Sequence, residues 1–296
     1  MWGNLRKAMH RSVETKDPAA VAGEVKTACK GMFPKCDPAF VQTAFDWATD
    51  CFTGRYANYQ AVDLRYHDFE HTLQGTLCLV RLLSGRHNAR AQPVLTERMF
   101  QLGLAAILLH DTGYLKTRDD TEGTGAKYTL THVARSADFA EKLLSQKGFA
   151  PEEITAVQNM ICCTGLDATP DAIPFQQELD KVVGFALATG DLLGQMAAED
   201  YVDKLPVLYG EFAEAAQHTT DKTVFIASFS SANDLVERTP GFWKNVVRKK
   251  LDRDLGGLYR FLNDPYPDGP NDYLKRIEAN MDRLKGRLKE QETSVP

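Results

Sequence analysis

Apolar residues recur along this chain at intervals of three and four, and the strict alternation that marks a half-buried strand is nearly absent. The pattern predicts an all-α protein with its helices packed as a bundle. Asp37-Pro38 supplies a helix start, and the segment after it carries Phe40, Val41, Ala44, Phe45, Ala48 and Phe52 along one face. Further helices are predicted at 68–83, at 94–110 with a stop at Gly113, and at 131–146 with Gly148 as the C-terminal cap. Another begins after Pro151 and runs to Cys162. Residues 175–199 read as a long, strongly apolar helix of the kind that lies in the middle of a bundle. Helices at 202–217, 222–236, 241–250 and 271–290 follow, and the Lys-, Arg- and Glu-rich last one suits an outer, solvated position. At the N-terminus, Trp2, Leu5 and Met9 suit a short amphipathic helix docked on the body of the protein.

The chain divides loosely into an N-terminal helical part (1–60), a central body (61–200) and a C-terminal helical part (201–296). No repeat or low-complexity linker separates them, so one compact unit is expected. At 296 residues the chain is long enough to bury a substantial core without staples. A formal charge of −5 gives no reason to expect duplex nucleic acid or a membrane surface as partner. No segment approaches the ~20 apolar residues that cross a bilayer, and the first residues do not read as a secretory signal. The six cysteines, at 29, 36, 51, 78, 162 and 163, form no C-x-x-C pair. They fit reduced, mostly buried thiols and a cytoplasmic location.

Chemistry concentrates in a few histidines and aspartates. His67 and His71, four apart in RYHDFEHT, project from one face of a helix and can address one site. His110 and Asp111 end the apolar run LGLAAILL, which carries them into the interior, where an unpaired carboxylate is costly. A metal ion relieves that cost, and so does a mutually satisfied His–Asp pair. Asp191 stands among apolar residues in VVGFALATGDLLGQM with no cation within a helical turn. It is either a ligand or, behind Gly190, the N-cap of a new helix. Together two imidazoles and two carboxylates make a mixed N/O site for Mn²⁺, Fe²⁺, Ni²⁺ or Zn²⁺, with Mg²⁺ suited to a carboxylate-rich second position.

The ordered set His71, His110-Asp111, Asp191 resembles the H…HD…D signature of the HD-domain superfamily of metal-dependent phosphohydrolases, over about residues 60–200. The piece from Tyr66 to His71 further resembles the Y-H-N-x-x-H element of cyclic-nucleotide phosphodiesterases, with Asp68 in place of Asn. The resemblance implies that His71, His110, Asp111 and Asp191 hold a first metal, with Asp111 bridging to any second ion. It implies His67 as the general acid, Tyr66 as the aromatic residue before it, and His132 as a second-metal ligand or phosphate contact. Otherwise His132 is an exposed residue at a helix start. The HD dyad continues as Thr112-Gly113-Tyr114 without a nearby His, and Cys162-Cys163 stand where two-metal relatives carry histidine. No glutamine-and-aromatic base clamp matches; Phe225, Phe229, Phe242 and Trp243 either shape a pocket or fill the core.

The expected activity is hydrolysis of a small-molecule phosphate ester, above all a nucleotide phosphodiester such as a cyclic nucleotide. The alternatives are nucleotide monoester hydrolysis, diiron oxygenase chemistry, and a non-catalytic nucleotide-binding module. The polar segment Asp119–Lys127 is either a mobile lid beside the site or a plain connector.

Overall fold

The computed structural model describes residues 13–165, 168–221 and 225–293, with side chains up to residue 289. The amphipathic helix expected around Trp2, Leu5 and Met9 therefore lies outside the described residues. Ten α-helices occur among the described residues, with no β-sheet. They are α1 (Pro18–Met32), α2 (Ala39–Phe52), α3 (Phe69–Asn88), α4 (Glu97–Leu109), α5 (His132–Gln146), α6 (Pro151–Ile161), α7 (Glu178–Met196), α8 (Tyr201–Gln217), α9 (Ala232–Phe242) and α10 (Asp272–Thr293).

Side-chain caps start several of these helices where the sequence places an acceptor. Asp17 and Asp37 each accept a hydrogen bond from the amide two residues on, at Ala19 and Ala39. Asp68 accepts from the His71 amide and so begins α3, and Thr96 accepts from Met99 to begin α4. Asp68 thus has a structural task at the position where the phosphodiesterase element carries Asn.

The middle of the bundle is the pair α3 and α7, the most extensive helix contact in the fold. Its closeness depends on small residues. A Cβ added at Gly194 would stand 2.7 Å from the Gln74 carbonyl and the Gly75 amide, and one at Gly190 would stand 2.9 Å from the Leu79 amide. Backbone atoms cannot yield as a flexible side chain can, so these two positions of α7 need hydrogen as their side chain. One consequence is functional: Asp191 of α7 is brought over the first turns of α3, where His71 sits. Around this pair one buried apolar cluster runs from Val21 in α1 to Leu284 in α10. A second, smaller cluster of Phe212, Ala215, Ile226 and Leu235 lies between α8, α9 and the 3₁₀ turn Phe225–Ser228.

Two predicted helices are redrawn. The helix expected at 222–236 is broken: Phe225–Ser228 is a 3₁₀ turn, and α9 starts only after Ser231, whose hydroxyl accepts from the Asp234 amide. The helix expected at 241–250 is the end of α9 continued by two π-helical turns, Trp243–Val247 and Lys250–Asp254. The helix α1 goes beyond the individual segments read from the sequence. Among the described residues no helix is long and apolar enough to cross a membrane.

Candidate metal centre

Three helices deliver the candidate ligands. His71 lies in the first turn of α3 and Asp191 late in α7, while His110 and Asp111 stand at the C-terminal end of α4. All four are buried, with exposures of 4, 1, 2 and 7% for His71, His110, Asp111 and Asp191. Because α7 continues unbroken through Gly190 and Asp191, the alternative of Asp191 as a helix N-cap does not hold.

The functional atoms converge. His71 Nε2 lies 3.1 Å from Asp191 Oδ1 and 3.3 Å from Asp111 Oδ2. His110 Nε2 lies 3.3 Å from Asp111 Oδ2 and 3.5 Å from Asp191 Oδ1. Ligand atoms about 2.1 Å from one ion are about 3.0 Å apart at 90° and about 3.4 Å apart at a tetrahedral angle, so the spacing suits a shared cation. His71, His110 and Asp191 each offer a ligand atom within 4.8 Å of the other two. The His110 Nδ1–H donates to the Ile107 carbonyl at 2.7 Å, which leaves Nε2 as the unprotonated nitrogen facing the cluster. Neither His110 Nε2 nor Asp111 Oδ2 has a hydrogen-bond partner, although both are buried. Buried polar atoms without partners are costly, and a divalent cation satisfies both at once. The donor set therefore fits a metal.

The protonic state of the metal-free cluster follows from the same proximity. Burial disfavours the charged form of His71, yet the nearby carboxylates of Asp111 and Asp191 outweigh that cost and lift its pKa to about 10. His110 is raised in the same sense, burial being overcome by the two carboxylates. Burial alone would push Asp111 and Asp191 up; the two imidazoles hold both well below the ordinary carboxylate range.

Around the cluster stand the other predicted site residues. His132 is the first residue of α5, and its Nδ1–H donates to the Thr129 carbonyl at 2.6 Å. Its Nε2 lies 3.9 Å from Asp111 Oδ1, the carboxylate oxygen turned away from His71 and His110. The seat of α5 is fixed by Gly113, where an added Cβ would stand 2.0 Å from the His132 carbonyl. The Gly113 amide also donates to Ser136. Tyr114 packs against two imidazoles, stacking on His67 at 4.8 Å and on His132 at 4.5 Å between centroids. His67 Nδ1 bonds Glu211 Oε2 at 2.6 Å, and Glu211 Oε1 accepts from the Tyr66 and Arg65 amides. Burial works against the Glu211 carboxylate, but those bonds keep it below the ordinary range. Tyr66 faces the same cavity, its hydroxyl donating to Gln195 Oε1 at 2.9 Å.

Glu211 and Gln195 were not legible as site residues. Glu211 lies on an amphipathic helix where a Glu reads as solvated, and Gln195 looks like one polar residue near a helix end. Of the two adjacent cysteines, Cys163 is buried in the core while Cys162 lines the cavity; neither joins the metal cluster. The segment 119–127 is tied down. Glu214 accepts from the Thr124 amide and hydroxyl, Asp63 from the Gly125 amide, and Asp120 from Lys127 and Tyr128. It does not line the cavity, so the connector reading describes it.

The cavity above the cluster measures about 870 Å³, within the ~300–1,000 Å³ range of small-molecule sites. Phe225, Phe229 and Phe242 line it, whereas Trp243 belongs to the core and donates to Glu278. A family model matches residues 20–260. The chain belongs to the Npun_R2479-like family. That span holds every residue of the site, from Tyr66 to Glu211, and the family's description names no reaction. No curated protein matches the chain.

Proposed function

We propose that this protein is a metal-dependent hydrolase of phosphate esters, of the HD type that its H…HD…D order resembles. One observation carries the reading: two imidazole nitrogens and two carboxylate oxygens, from three helices, lie buried at ligand spacing, with two of these atoms lacking any hydrogen-bond partner. His71, His110, Asp111 and Asp191 would hold a divalent ion, which would supply positive charge for the phosphoryl group and lower the pKa of water toward neutrality. His132, whose Nε2 lies 3.9 Å from Asp111 Oδ1, and Asp111 would hold any second ion.

The residues of the chain then divide the proton work. The water oxygen forms the new bond to phosphorus, and its proton is released to bulk solvent. The ester P–O bond breaks toward the alcohol oxygen, which takes a proton from His67 Nε2. Glu211 holds His67 by Nδ1, and Tyr114 stacks against the ring, so the imidazole has one orientation and Nε2 is left for the cavity. One water is consumed, and an alcohol and a phosphate leave. His67 acts as general acid, and Tyr66 and His132 contact the substrate.

Nucleotide phosphodiesters and monoesters belong to this reaction class. The test is a panel of cyclic, dinucleotide and monoester substrates with Mn²⁺, Mg²⁺, Fe²⁺, Ni²⁺ or Zn²⁺, run on the wild type and on Asp111→Ala. Metal-dependent hydrolysis by the wild type alone is expected, read as nucleoside monophosphate from the diesters and as inorganic phosphate from the monoesters. Oxygen uptake by an iron-loaded protein without hydrolysis would put an oxygenase in its place.

A further inference from the structure

The cavity has two unlike ends. The metal cluster, His67 and His132 occupy one end. The other end is formed by Leu208, Phe212, Phe225, Ile226, Phe229 and Leu235. The threonine hydroxyls that reach the lining are committed to backbone carbonyls. Thr239 donates to Leu235, Thr164 to Ile161 and Thr129 to Ala126. The Gln195 amide is spent on Tyr66 and on Asp191. Among the described lining residues the sole Lys or Arg is Arg238. Arg238 is paired with Asp234 at 3.5 Å, donates to the Ser228 carbonyl and lies over the Phe229 ring. The mouth is apolar as well: Leu130, Phe225 and Val246 are lining residues, and all three are large apolar side chains left exposed. Exposed apolar surface at the rim of a pocket marks a binding site for apolar matter.

From these walls we infer that the substrate is an amphiphile, a single phosphate group esterified to a bulky alkyl or aryl alcohol whose apolar part fills the distal pouch. The inference rests on the hydrolase reading for the reaction and on the pouch for the substrate. A nucleobase needs donors and acceptors opposite its edges, since burying an unpaired polar edge is costly, and the side chains of Leu208, Phe212, Phe225, Ile226, Phe229 and Leu235 offer none. A chain of phosphates needs several cations, and the pouch adds only the engaged Arg238. A hydrocarbon needs neither. Each methylene buried strengthens binding about fourfold.

Two series on the Mn²⁺-loaded full-length protein separate the two claims. Alkyl- and phenylalkylphosphonic acids from C2 to C8 cannot be hydrolysed, so calorimetry reads the pouch alone. The expected result is a gain of about threefold to fourfold in affinity per methylene until the pouch is full. The alkyl and phenylalkyl arms distinguish a flexible chain from a ring as occupant. Release of 4-nitrophenolate from the matching alkyl 4-nitrophenyl phosphates, beside product formation from cyclic AMP and AMP, reads the reaction, with kcat/KM expected to climb with chain length. Leu235→Trp and Ile226→Trp each narrow the pouch, and either is expected to flatten the chain-length dependence with the metal still bound. A length-dependent phosphonate affinity without any turnover would support the pouch and overturn the hydrolase. Affinity independent of length in the wild type, or turnover of nucleotides above that of the octyl ester, would overturn the amphiphile.

Discussion

The two ends of the cavity are built to different standards of rigidity. At the metal end, α3 and α7 meet backbone to backbone at Gly190 and Gly194, and neighbours of the ligands such as Leu73, Leu109 and Leu192 belong to the large central core. At the pouch end the walls belong to a separate small cluster, to a 3₁₀ turn and to the start of the π-helical turns after α9. Close-packed helices hold ligand atoms to a fraction of an ångström, as a cation requires. Small clusters and irregular turns open more easily and adapt their shape. The proposed chemistry uses the difference: the reacting group meets the rigid end and the variable part of the substrate meets the compliant one.

The largest effect expected from breaking the metal end is at Asp111. Asp111→Ala removes an oxygen 3.3 Å from both imidazole nitrogens, so metal content by mass spectrometry and hydrolysis are both expected to vanish. Retention of both would refute the ligand assignment. His67→Ala leaves the cluster whole, and turnover is expected to fall about 10²–10⁴-fold, the scale of a placed general acid, with bound metal unchanged. Glu211→Gln keeps the shape but weakens the grip on His67 Nδ1; a decrease of about 10–100-fold suits a supporting partner. The pH–rate profile of that variant should shift, which loss of packing alone would not produce. Gly194→Ala forces a Cβ against the Gln74 carbonyl and the Gly75 amide. It is expected to cost about 1–3 kcal/mol in chemical denaturation and to weaken metal binding, whereas Gly210→Ala, with nothing within 4 Å, should do neither.

The gentlest test is pH. In the metal-free protein the His71 pKa is raised to about 10, so its contribution to stability is full below the ordinary imidazole value and is lost as pH rises toward 10. Asp111 and Asp191 are depressed, so their contribution is full above the ordinary carboxylate range and is lost in strong acid. Chelated protein should therefore unfold at lower denaturant concentration at pH 10 than at pH 7. Metal displaces those protons, so the gain from adding it should grow over the same interval. Parallel pH dependence with and without metal would count against a shared site.

What was legible in the sequence follows the same division. His110-Asp111 and Asp191 stand out because a charged or imidazole side chain in an apolar helix demands a partner, and that demand is visible one residue at a time. The all-α class and most helix positions follow from spacing alone, and Asp37-Pro38 marked α2 in advance. The same Asp-Pro signal at Asp17-Pro18 marks α1 and is equally readable. Glu211 was hidden because its partners, His67 and the amides of 65 and 66, are about 145 residues away in the chain and only the fold brings them near. The pouch was hidden for a related reason: Phe225, Phe229 and Phe242 look like any core aromatics until the helices are seen to leave space between them. The break before α9 depended on Ser231 as a cap inside a run that otherwise keeps helical spacing.

The claim that supports all the others is that one cation sits among His71, His110, Asp111 and Asp191. Anomalous diffraction from crystals grown with Mn²⁺ reads it directly. A peak within about 2.3 Å of ligand atoms from all four side chains is the predicted result. Well-ordered side chains with no peak between them, or a peak held elsewhere, would contradict it.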